Sequence, residues 1–117
     1  MIRKVSEMRL QERPNVCSGD GVIHTLHMVE ASESAGKASL CAVMTIDPGC
    51  SIGPHPHGPD AEIYYILEGE LEGKENDQVV TLCPGDVMFT SFGDVHSVRN
   101  LTDRPAKMLA IVMKQVD

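Results

Sequence analysis

The segment Gly49-Cys50-Ser51-Ile52-Gly53-Pro54-His55-Pro56-His57-Gly58-Pro59-Asp60-Ala61-Glu62-Ile63-Tyr64-Tyr65-Ile66-Leu67-Glu68-Gly69 carries most of the information in this chain. Its two halves read as extended chain joined by Gly58-Pro59-Asp60-Ala61. Successive side chains of a strand alternate faces, so His55 and His57 project from one face, about 7 Å apart along the strand. Two imidazoles so placed can converge on a single ion. Glu62, at the mouth of the next strand, can bring a carboxylate to the same ion. Pro54 and Pro56 lack an N–H, which makes the first strand an edge or irregular rim. They also push the residues before them towards extended geometry.

Outward from this segment the chain is a series of short apolar runs: Val22–Val29, Ala38–Ile46, Ile63–Leu67, Val79–Cys83, Val87–Thr90 and Met108–Met113. Between them stand Asp47-Pro48-Gly49, Glu68-Gly69, Asn76-Asp77, Pro84-Gly85-Asp86, Gly93-Asp94 and Asn100, residues that favour turns. No segment sustains a helical period, so an α/β sheet has no crossover helices to form from. The pattern predicts an all-β sandwich or barrel. With 117 residues the chain has room for one domain, 1–117, in which the charged residues 1–20 form an N-terminal arm. Two Phe, two Tyr and no Trp leave the core to Val, Ile, Leu and Met, so Met44, Met88, Met108 and Met113 read as apolar filling.

A second cluster, from Gly85 to Asn100, offers a further imidazole. His96 would have to come from a distant strand, as when a barrel closes a site from both sides. Three histidines and one carboxylate make a ligand set for a divalent first-row metal with open positions. At this point the sequence resembles the cupin superfamily. Gly49, His55, His57, Glu62 and Gly69 match every fixed position of its first motif, within 49–69. Gly85, Gly93, His96 and Asn100 match the second, within 85–100, with Ser91 where the family has Pro. The local text is similar to the small single-domain cupins often compared with oxalate decarboxylase. The resemblance implies a single-domain antiparallel jelly-roll β-barrel with His55, His57, Glu62 and His96 as ligands of one divalent transition metal ion: iron, manganese, nickel, copper, cobalt or zinc. It also implies a homodimer in which N-terminal strands pair across the interface.

The function expected is a metal-dependent enzyme acting on a small oxygen-bearing or carboxylate substrate, of dioxygenase, decarboxylase, isomerase or lyase type. The alternative is a non-catalytic small-molecule-binding or sensor cupin with a structural or ligand-anchoring metal. No general acid or base is identified. Tyr64 shares parity with Glu62 and should point inward, as a pocket wall or hydrogen-bond donor, while Tyr65 points out. Asp60 and Asp94 read as turn residues, and Arg99, His24 and His27 as structural or surface residues. A formal charge of −7 argues against nucleic-acid or anionic-membrane partners. The longest apolar run, Met108–Met113, is far short of a membrane span. The start has no apolar stretch behind its early positive charge, so a cytoplasmic location is expected. Cys17, Cys41, Cys50 and Cys83 contain no CxxC pair and read as mostly buried small hydrophobes in a reducing compartment.

Overall fold

The computed structural model describes residues 1–115. Ten strands run in order as β1 (Arg9–Pro14), β2 (Val22–His27), β3 (Ala38–Ile46), β4 (Ser51–Pro56), β5 (Ala61–Glu68), β6 (Leu71–Glu75), β7 (Gln78–Leu82), β8 (Val87–Thr90), β9 (Val95–Arg99) and β10 (Ala106–Met113). Among the described residues the only helical elements are short 3-10 turns, including Val16–Ser18 between β1 and β2. The strands form a six-stranded sheet, β1-β2-β3-β10-β5-β8, and a four-stranded sheet, β4-β9-β6-β7. Every pairing is antiparallel.

The alternation predicted from sequence is plainest in β10. Ala106, Met108, Ala110 and Val112 face inward, and Lys107, Leu109, Ile111 and Met113 face outward. The inward faces of both sheets meet in one core that draws Ile23, Met44 and Ile46 from one sheet and Ile52, Leu71 and Val98 from the other. Each such aliphatic side chain contributes roughly 1.5–3 kcal/mol by leaving water. Met44, Met88 and Met108 fill this core as expected, whereas Met113 is only half-buried.

The all-β antiparallel jelly roll is thus the observed architecture, with one difference from a closed barrel. The two sheets are not hydrogen-bonded into a continuous ring. On the β4 edge, Pro54 and Pro56 have no N–H with which to extend the ladder. Four strands, β1, β4, β6 and β9, fall outside the apolar runs of the sequence; β4 and β9 carry the histidine motifs, and β1 and β6 have no such signal. β6 reads Leu-Glu-Gly-Lys-Glu and buries only Leu71 and Gly73, while β1 buries none of its residues.

The cysteines are free, but the expectation of burial fails. Cys17 is exposed and the other three are half-buried. Cys17 lies in the Val16–Ser18 turn at a left-handed backbone position, φ 51°, away from the inward face of any strand.

Asn100 closes the second motif by bonding backbone rather than ligand. Its buried amide donates to the carbonyls of Ile46 (2.8 Å) and Arg104 (2.7 Å), and its Oδ1 accepts from the Thr102 N–H (2.9 Å) and hydroxyl (2.7 Å). Asn100→Ala removes a partner from three backbone groups, of which the Arg104 carbonyl keeps the Thr102 hydroxyl (3.0 Å), and an orphaned buried group costs roughly 1–3 kcal/mol. A loss of at least about 2 kcal/mol in urea unfolding is expected; a change below about 0.5 kcal/mol would show that water replaces the side chain freely.

Candidate metal centre

His55 lies near the end of β4, His57 one residue beyond that strand, Glu62 at the opening of β5 and His96 on β9. The site therefore straddles the two sheets. His55 is the register partner of His96, which sets their rings face to edge with centroids 4.4 Å apart. The sequence places His57 in one regular strand with His55, but the ladder stops at Pro56. His57 is held instead by the second-motif turn: its N–H donates to the Asp94 carbonyl (3.0 Å) and its carbonyl accepts from the Gly93 N–H (2.9 Å).

The four side chains converge. Nε2 of His96 lies 2.8 Å from Nε2 of His55, 3.1 Å from Nε2 of His57 and 3.1 Å from Oε1 of Glu62. His57 Nε2 is 3.1 Å from the same carboxylate oxygen, and His55 Nε2 is 3.8 Å from it. All four donor atoms lie within 4.8 Å of one another. His57, Glu62 and His96 are buried, and His55 is partly open.

The protons on two rings are assigned by their outer contacts. His55 Nδ1 donates to the Gly53 carbonyl (2.8 Å) and His57 Nδ1 donates to the Asp60 carboxylate (2.9 Å). Each neutral ring then turns a bare Nε2 lone pair inward. Two lone pairs and a carboxylate oxygen meet at His96 Nε2, which can offer at most one proton to the group. His96 Nδ1 is buried with no hydrogen-bond partner, so no second contact fixes that ring's tautomer. A cation satisfies such a cluster of acceptors. An octahedral ion with bonds of about 2.1 Å sets adjacent donors about 3.0 Å apart, against about 3.4 Å for a tetrahedral ion. Four of the contacts, at 2.8–3.1 Å, match the octahedral edge and the fifth, His55 Nε2 to Glu62 Oε1 at 3.8 Å, is longer; the donor set fits a divalent metal.

The charges agree with this at Glu62 and His96, while at His55 the metal-free site favours the protonated ring. Burial would raise the Glu62 carboxyl, but the facing His55 and His96 rings outweigh it and hold its pKa at about 2. Burial lowers His96 against the pull of Glu62, favouring the neutral ring. Burial also acts to lower His55, yet Glu62 and the Gly53 carbonyl leave it raised. Tyr64 stacks on His96 with rings 10° from parallel and centroids 4.8 Å apart. Burial and the Glu62 charge push its hydroxyl well above the ordinary range, so it stays protonated.

A cleft of about 450 Å³ opens onto His55, His57, Glu62 and Tyr64, with His96 behind its lining. Of the residues considered from sequence, Tyr64 and Asp60 line it, as does His27, while Cys50, Asp94 and Arg99 do not. Asp60, read as a turn residue, instead orients His57. His24 lies outside the cleft, between Glu12 and Asp47. Gln11, Arg13 and Cys17 also line the cleft, and sequence reasoning misses them. The available signal is the alternation Arg9-x-Gln11-x-Arg13, polar residues on one face of an extended segment.

The cupin domain family model matches residues 42–112. A Thermotoga maritima protein named "Oxalate-binding protein" is 34% identical over 113 residues, covering 97% of this chain and 93% of the relative. The crystal structure of a predicted oxalate decarboxylase from Thermotoga maritima superposes with a TM-score of 0.92 at 34% identity, over 97% of this chain and 99% of that one. A Thermus thermophilus protein of known structure, 22% identical and covering 98% of each chain, shares the fold with a TM-score of 0.74.

Carboxylate partners that orient a metal-bound imidazole are commonly worth 10–100-fold in metal affinity. Asp60→Asn is expected to weaken divalent-metal binding by about that factor, read by competition against a fluorescent chelator. Affinity equal to the parent protein would show that Asp60 does not govern the His57 ring.

Proposed function

The chain belongs to the cupin family, and on that premise we propose that His55, His57, Glu62 and His96 hold one divalent transition metal on which a small carboxylate binds directly. The observation that carries this reading is the inward convergence of imidazole nitrogens around an ionised carboxylate, with all four donor atoms within 4.8 Å of one another. A divalent ion held by three neutral imidazoles and one carboxylate keeps a net charge of about +1, which favours an anionic oxygen ligand. When bound, the metal supplies Lewis-acid polarisation of a carbonyl, or dioxygen chemistry if it is redox-active.

The chain's own residues perform the rest. Asp60 and the Gly53 carbonyl keep the Nδ1 protons of His57 and His55 in place, so Nε2 stays free for the ion. Tyr64, held protonated and stacked on His96, restricts that ring's rotation. Val16, Leu40, Met44, Ile52 and Val112 supply apolar wall to the cleft, which excludes water from the bound ligand's flanks. The name of the Thermotoga relative supports a carboxylate as ligand. Binding is the first reading because both carboxylates that line the cleft are engaged, Glu62 in the centre and Asp60 on His57, leaving none free as a general base. Turnover of dioxygenase or decarboxylase type is the second reading, favoured by a four-donor set that leaves up to about two octahedral positions open.

A homodimer formed through the N-terminal strand is the assembly proposed. β1 is the outermost strand of its sheet, and Leu10, Val5 and Ile2 are exposed on or near it. Pairing would cover that edge. The four free cysteines suit the reducing cytoplasm.

Tag-free protein is expected to retain about one metal equivalent per chain by mass spectrometry, and a His55→Ala/His57→Ala variant almost none. Loaded protein should bind oxalate by calorimetry, and chelator-stripped protein should not. Failure to retain any divalent metal after reconstitution would contradict the reading. On the same samples, light scattering at twice the 12.7 kDa chain mass supports the dimer and a value at the chain mass contradicts it.

A further inference from the structure

We infer that Arg13 determines the specificity of the cleft by receiving the second acidic group of a small dianion whose first group sits on the metal centre. The inference rests on the reading above and goes beyond it by naming the ligand's charge and the residue that selects for it.

Directly paired residues of an antiparallel ladder share a face. β1 pairs with β2 so that Arg9 faces His27, Gln11 faces Thr25 and Arg13 faces Ile23. Those three β2 residues are buried, so Arg9, Gln11 and Arg13 lie on the inward side of β1. This is an unusual use of an inward face, because a strand serving only the core would carry apolar residues there. Two of the three polar side chains have protein partners: Arg9 binds Glu30 (2.8 Å), and Gln11 Oε1 accepts from His27 Nε2 (2.8 Å).

Arg13 has none. Arg3 pairs with Glu33 and Arg99 with Asp20, but among the described residues Arg13 makes neither an ion pair nor a side-chain hydrogen bond. It is half-buried and lines the same cleft as His55, His57 and Glu62. A guanidinium withdrawn partly from water without a carboxylate is a forked donor set, fitted to bind a planar acid group through two parallel bonds. The Asp60 carboxylate, the only acid among the described residues of the cleft outside the proposed metal set, is engaged by His57. The cleft therefore offers two positive points, one at the centre and one at Arg13, with largely apolar wall around them. That pattern matches a compact ligand with two acid groups better than a monoacid.

The backbone next to Arg13 is held firmly. Asn15 N–H donates to the Gly21 carbonyl (2.9 Å), and Ser51 exchanges bonds with Asp20 (both 2.9 Å). The Val16–Ser18 turn lies against β4 so closely that a Cβ on Gly53 would sit 2.0 Å from the Cys17 carbonyl oxygen. The segment following Arg13 is thus fixed to the strand that carries His55, which lowers the ordering cost of binding.

The test is calorimetry on the full-length, metal-loaded protein with oxalate and acetate as probes, for the parent, Arg13→Gln and Arg13→Lys. Metal content is measured after each titration, because oxalate also chelates free metal, and thermal melts check that each variant is folded. Arg13→Gln is expected to weaken oxalate binding by about tenfold or more while changing acetate by less than about threefold. Arg13→Lys, which keeps the charge and loses the fork, should recover part of the oxalate affinity. Equal losses for both probes, or no loss for oxalate, would overturn the role of Arg13 while leaving the metal site standing. Absence of binding by either probe to the loaded parent protein would overturn the carboxylate reading itself, and this inference with it.

Discussion

The rest of the structure is arranged around one electrostatic constraint: lone pairs of His55 and His57 and the Glu62 carboxylate are packed at contact distance around His96 in a largely buried place. Like partial charges at about 3 Å repel strongly when water is scarce. Surrounding contacts hold this group together, and a cation in the proposed site would complete it. The holding is done from both sheets. β4 and β9, with the residue just beyond β4, bring three imidazoles from one side, β5 brings the carboxylate from the other sheet, and Tyr64 on β5 presses flat against His96. The site therefore lies across the inter-sheet core, and its geometry depends on the same packing that joins the two layers.

The residues that converge at the candidate metal centre were legible in the sequence because the spacing of the first three is local and their residue types are chemically narrow. His55 and His57 are two apart, and Glu62 follows a short Gly-Pro turn. The strands with a buried apolar face were legible for the same reason, and β3 and β8 fall at the expected boundaries. The polar strands were not. β1 buries none of its residues and β6 alternates around a single Leu and a Gly, so hydrophobic periodicity had nothing to register. The role of Asp60 was hidden because an Asp after Gly-Pro suits a turn whether or not its carboxylate reaches an imidazole. The exposure of Cys17 depends on a left-handed turn that its residue type does not announce.

The N-terminal segment shows how far composition can mislead about a site. A chain of net charge −7 suggests a surface that repels anions, yet Arg13 lines the same cleft as His55, His57 and Glu62, where the proposed metal would add positive charge. Most of the acidic excess lies elsewhere: Glu33, for example, is spent on Arg3 at the surface, where the hydrogen bonds from that guanidinium hold its pKa at about 2. With the proposed metal bound, a locally positive cleft in a negatively charged molecule would concentrate selectivity at one place and discourage non-specific capture of anions elsewhere. β1 is at once an edge strand and a wall of the cleft, so the arm read from sequence as a lead-in element is part of the proposed ligand-binding surface.

The most direct measurement is anomalous X-ray diffraction from crystals of the manganese-loaded protein, with data collected at a wavelength where manganese scatters anomalously. The account predicts one strong peak per chain within about 2.0–2.3 Å of Nε2 of His55, His57 and His96 and of a Glu62 carboxylate oxygen. A loaded crystal with its peak elsewhere, or with any of the four side chains turned away from the ion, would contradict it.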